Sequence, residues 1–159
     1  MLWMSTYLNL SRGLAAEVAA SFAGSFCIGI TAGRAISGFV TMKLNDTQMI
    51  RLGQGIILAG IIFLLIPVGT VTALIGFALI GLGCAPIYPC IIHSTPVHFG
   101  AENSQAVIGF QMAFAYTGTL LTPPLYGLIS NYVSPSLLPF YLLFFLAVMV
   151  VSHERVNRK

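Results

Sequence analysis

The feature that most constrains this chain is that its apolar residues come in unbroken blocks, among them residues 55–68 and 140–151. About 20 apolar residues in helical form cross the hydrocarbon core of a bilayer. Lipid offers the backbone no hydrogen-bond partner, so each block must be a helix or a strand of a closed barrel. Barrel strands alternate apolar and polar over about 10 residues, and residues 55–68 do not alternate. Charged residues make up only 7% of the 159 positions and hydrophobic ones 57%. A soluble domain carries about a quarter charged residues, so no water-exposed surface can be built from this composition. The expected fold is an all-α integral membrane bundle in contact with the lipid bilayer.

Polar breaks divide the chain into five expected spans, at 16–42, 48–67, 71–93, 104–129 and 137–151. Residues 1–8 are apolar but too short to cross. They lack the basic segment and small-residue cleavage site of a signal peptide, and predict the last two turns of a helix that begins upstream. A polar loop is expected at residues 9–13. The net charge of +3 sits at helix ends, which bears on orientation and gives no reason to expect nucleic acid. Arg12 falls on one side; Arg34, Lys43, Arg51, Arg155, Arg158 and Lys159 fall on the other. Basic residues accumulate on the cytoplasmic side, so the C-terminus is expected there, in a multi-pass protein of the plasma membrane.

The spans differ in character. The second and fifth are apolar on every side, as lipid-facing helices are. On the fourth, Ser104, Gln111, Ala115, Gly118 and Thr122 fall within about 60° of one another at helical spacing. On the first, Glu17, Ser21, Gly24 and Thr31 form a similar stripe, with Gly29 and Gly33 on the opposite face. Either stripe can serve helix packing, because small residues allow close approach and hydroxyls bond across it. The alternative is a polar cavity, which would supply Gln111 with the partners a mid-membrane amide needs. For Gly29 and Gly33 packing is the simpler reading. Pro86 and Pro89 interrupt the third span and flank Tyr88; broken helices recur at transporter binding sites, although proline is also common in membrane helices generally. Glu17, Ser21, Tyr88, Gln111 and Thr119 are the candidate substrate-cavity residues.

Catalysis is not expected: no HExxH, GxSxG or pair of intramembrane carboxylates occurs. Cys27, Cys84 and Cys90 stand singly in apolar runs, without metal-ligand spacing, so neither a metal nor a cofactor is expected.

The segment Gly29-Ile30-Thr31-Ala32-Gly33-Arg34, continuing through Gly38 to Lys43, resembles the cytoplasmic loop signature of the major facilitator superfamily, in its copy between helices 8 and 9. Gly81 to Pro89 resembles helix 10 of that family, and Gly109-Phe110-Gln111 through Pro124 its helix 11. The likeness is nearest to the fucose-permease-like sugar:proton symporters and runs through the whole chain. It implies a C-terminal transporter bundle, the end of helix 7 followed by helices 8 to 12. Helices 7, 8, 10 and 11 of the family line its central cavity and 9 and 12 face lipid, the same division that the stripes suggest. The chain departs from the signature at Gly33, where the family often has an acidic residue. The resemblance implies secondary active transport of a small polar solute such as a sugar, by alternating access, with an N-terminal transporter half as the required partner. The alternative is a membrane fragment or scaffold that carries no substrate.

Overall fold

The computed structural model describes residues 2–66, 69–132 and 137–157. Of these, 93% are helical, with no strand among them. The elements are α1 (Leu2–Arg12), α2 (Ala16–Val40), α3 (Asp46–Leu65), α4 (Gly69–Phe99), α5 (Ala101–Tyr132) and α6 (Leu138–Asn157). The break expected between the second and third spans falls partly outside the described residues; residues 133–136, Met1, Arg158 and Lys159 lie wholly outside them.

The organising element is α4, held between α2 on one side and α3 on the other. Membrane helices cannot rely on water to drive them together, so they associate through close van der Waals packing. Gly29 and Gly33 of α2 are buried against Ala78, Leu82 and Ala85 of α4. A Cβ at Gly29 would collide with the Ala78 carbonyl. On the other side, Gly53 of α3 and Gly83 of α4 oppose each other so closely that a Cβ on either would lie 2.6 Å from the other's carbonyl oxygen. Ser25 of α2, 7% exposed, adds a hydroxyl hydrogen bond to the Leu74 carbonyl of α4 at 3.3 Å. The apolar core continues through Ile57, Ile61, Leu64, Phe77 and Ile80 to Leu8 of α1 and Tyr126 of α5.

Several boundaries differ from the expectation. α1 continues through the expected polar loop to Arg12, because the Asn9 amide folds back to donate to the Leu14 carbonyl at 2.6 Å and the turn waits for Gly13, at φ +66°. α4 runs past His93 to Phe99 as one helix, with Pro86, Pro89 and Pro96 inside it. Proline costs a helix a hydrogen bond; α2 and α3 pack along both sides of α4 past Pro86 as far as Cys90 and Ile91, while Pro96 lies beyond them and is exposed. The break expected between the third and fourth spans shrinks to a corner at Gly100 (φ +79°), a backbone angle that glycine adopts readily. α6 extends to Asn157, six residues beyond the expected end of its span.

Among the described residues four helices, α2, α3, α4 and α6, are long and apolar enough to cross a membrane. Five such spans were expected. α5 has 32 residues and is long enough. Gln111, Thr117, Thr119, Thr122, Pro123 and Pro124 dilute its apolar character, which is why it falls short by composition. The second span is also more than a lipid-facing helix: one face of α3 is buried (Met49, Ile50, Gly53, Ile57, Ile61), while Leu52, Leu58, Ile62 and Phe63 are exposed on the other. An all-round apolar sequence is what a helix needs when one side meets a helix and the other lipid.

Candidate functional site

Helical periodicity puts Glu17, Ser21 and Thr31 on one face of α2, and all three are exposed. Their hydroxyls are satisfied within their own helix: Ser21 donates to the Val18 carbonyl at 2.9 Å and Thr31 to the Cys27 carbonyl at 3.0 Å. α5 is more exposed still. Every position from Met112 to Leu121 is exposed, including Thr119, whose hydroxyl donates to the Ala115 carbonyl at 2.8 Å. The helix meets the rest of the bundle only towards its ends. Near one end Tyr126 stacks edge-on against Trp3 of α1, ring centres 5.4 Å apart, and packs with Tyr141 of α6 at 5.2 Å. Near the other, the Gln111 amide donates to Thr95 Oγ1 of α4 at 3.1 Å, and the same hydroxyl donates to the Ile91 carbonyl at 2.8 Å.

Gln111 and Thr95 form part of the wall of a cavity of about 270 Å³ among α3, α4, α5 and α6. Thr47, Ser94, Ser152 and His153 contribute polar groups; Ile50, Ile91 and Met149 make the apolar floor. Tyr88 lies elsewhere, 45% exposed at the edge of a second cavity of about 290 Å³ walled by Ile57, Ile80, Cys84, Leu142 and Leu146. The candidate cavity residues therefore do not converge. Glu17 and Ser21 lie on the free face of α2, Thr119 on the free stretch of α5, Gln111 in the first cavity and Tyr88 beside the second. Neither of these two cavities brings them together.

The signature residues separate in the same way. Gly29, Gly33, Arg34 and Gly38 are all inside α2, and only Lys43 lies in the following turn. Gly29 and Gly33 are packing positions. Gly38 has open space around it, and Arg34 and Lys43 are exposed.

Two interhelical ion pairs join the helix ends on the Lys43 side. Arg51 of α3 donates Nε–H and Nη2–H from one edge of its guanidinium to the two oxygens of Glu154 of α6, and the His93 imidazole of α4 donates to Asp46 of α3 at 2.6 Å. Sequence reasoning treated Arg51 only as an orientation signal and His93 only as the end of its span. The signal was present in the signs: an acid and a base at the same membrane face on three different helices. Thr95 was missed because a hydroxyl near the end of an apolar span carries no periodic mark. Gln54 of α3 was missed for the same reason; it is 6% exposed and its amide nitrogen makes no hydrogen bond among the described residues.

Compared with protein families, with curated proteins and with solved structures, the chain matches none of them.

Proposed function

We propose that this chain is the C-terminal helical bundle of a secondary transporter of the major facilitator type, moving a small polar solute such as a sugar across the plasma membrane. The observation that carries the reading is the exposure of two polar faces on one framework. α4 fastens α2 through Gly29 and Gly33, which turns Glu17, Ser21 and Thr31 outward. α5 keeps Gln111 at the bundle and leaves Thr117 and Thr119 uncovered. Polar groups facing hydrocarbon are costly, so a second helical bundle covering both faces would remove that cost and enclose a polar passage between the two. Alternating access works by rocking two such bundles about a midplane site. Hydroxyls, an amide and a carboxylate are the donors and acceptors that a polyhydroxylated solute requires. The basic residues of the Lys43–Arg51 segment and the C-terminal tail orient the bundle with that end in the cytoplasm.

The test is solute uptake by the protein expressed from its native coding region, together with any adjoining helices that region encodes, in a host deficient in sugar uptake. Saturable uptake of a radiolabelled sugar, lost in Gln111→Leu and Glu17→Gln at normal membrane abundance, is the expected result. Uptake kinetics untouched by both substitutions would sink the cavity role. No uptake of any polar solute would favour the scaffold reading. The 159-residue chain alone, reconstituted in liposomes with an imposed proton gradient, is expected to show none.

A further inference from the structure

α4 and α6 both pack on α3 yet barely touch each other. That arrangement leaves a furrow between them with α3 as its floor, and both cavities lie along it. The first, of about 270 Å³, has Ile50 of α3 below; the second, of about 290 Å³, has Ile57, two turns further along the same helix. Ile91 of α4 and Met149 of α6 belong to the walls of both, so the two cavities adjoin along the furrow. The furrow is apolar along its length, and the few polar groups it has gather towards one end. Thr47, Ser152 and His153 line the end where α3 begins and α6 finishes; Ile80, Leu142 and Leu146 line the far end, which has no charged group in its wall. The mouth lies beside the ion pairs Arg51–Glu154 and Asp46–His93, at the charged ends of α3, α4 and α6.

We propose that this furrow is a binding site for a bilayer phospholipid, which lays one acyl chain between α4 and α6 and sets its headgroup against the polar mouth. Three observations fix this occupant. The polarity gradient runs the way a lipid's does, head at the membrane face and chain towards the middle. Each cavity takes on the order of ten methylenes, at roughly 30 Å³ per group of this size, so the two together suit a chain of ordinary length and exceed what a compact polar solute would fill. An apolar gap between membrane helices forfeits dispersion contacts along its whole length unless alkyl groups enter it. The walls include Gln111 and Tyr88, which the transport reading also uses, but none of the polar face of α2; lipid labelling tests the furrow without reference to uptake.

The experiment uses the full chain in nanodiscs containing a phospholipid with a photoactivatable diazirine on its acyl chain, followed by mapping of the labelled peptides. Labelling is expected to concentrate at Tyr88, Ile91, Leu142 and Met149, above the level at Leu58 and Ile62 on the outer face of α3. Two separate substitutions that fill the furrow, Met149→Trp and Leu142→Trp, should each reduce the furrow labelling severalfold and leave the outer-face labelling unchanged. Helical content by circular dichroism identifies whichever variant keeps its fold. Equal labelling of furrow and outer face, or furrow labelling that survives in a folded tryptophan variant, would overturn the proposal. So would disulfide formation between two copies carrying Leu142→Cys, with Cys27, Cys84 and Cys90 replaced by alanine, under mild oxidation, which would make the furrow a dimer contact.

Discussion

The Arg51 guanidinium, near the start of α3, holds the Glu154 carboxylate, near the end of α6, with two hydrogen bonds: Nε to Oε1 at 2.9 Å and Nη2 to Oε2 at 3.0 Å. The pair is side-on, which gives it a fixed orientation, but the two side chains are 55% and 38% exposed. Exposed ion pairs contribute about 0.2–1 kcal/mol. A double-mutant cycle with Arg51→Ala and Glu154→Ala, read from SDS-induced unfolding in mixed micelles, is expected to give a coupling in that range that shrinks as salt is added. A coupling of several kcal/mol would mean that the pair is desolvated in the membrane and that α6 depends on it for docking.

The glycines of α2 are not equivalent, and substitution separates them. Gly29→Ala drives a methyl into the Ala78 carbonyl of α4 and forces the helices apart. Overpacking of this kind costs about 1–3 kcal/mol. Gly38→Ala meets nothing within 4 Å and exchanges a poor helix former for the best one. The first should lower the thermal midpoint in detergent and the second should hold or raise it. Equal effects would show that α2 does not pack on α4 through Gly29.

Gln111 and Thr95 tie α5 to α4 by one hydrogen bond between side chains. Such bonds between membrane helices average about 0.6 kcal/mol in double-mutant cycles. Gln111→Leu and Thr95→Val should each destabilise modestly, with a coupling near that value, measured by the same SDS titration. A loss of transport in Gln111→Leu far beyond what this small change in stability explains would separate a cavity role from a packing role.

Orientation is open to direct measurement. With Cys27, Cys84 and Cys90 replaced by alanine, single cysteines at Arg12 and Asn157 should differ in their reaction with an impermeant thiol reagent on intact cells. Position 12 is expected to react and position 157 to react only after the cells are opened. The reverse pattern would invert the topology.

Hydrophobic blocks and helical periodicity were enough to read the class of fold and much of its local geometry. The apolar runs required helices because lipid cannot satisfy a bare backbone. The spacing of Gly29 and Gly33 opposite Glu17, Ser21 and Thr31 marked which side of α2 is buried, because side chains three and four apart share a helix face. Other features depended on residues far apart in the chain. Arg51 and Glu154 are 103 positions from one another, and no local pattern pairs them. The continuity of α4 through three prolines was likewise invisible locally. Proline predicts a break wherever the helix stands alone, and here α2 and α3 pack along both sides past Pro86, while Pro96 lies beyond them. The scattering of the five candidate cavity residues, and the furrow between α4 and α6, were decided only when the helices were placed. Periodicity states which face of a helix is polar or small; which neighbour, gap or lipid that face meets is set by packing between helices.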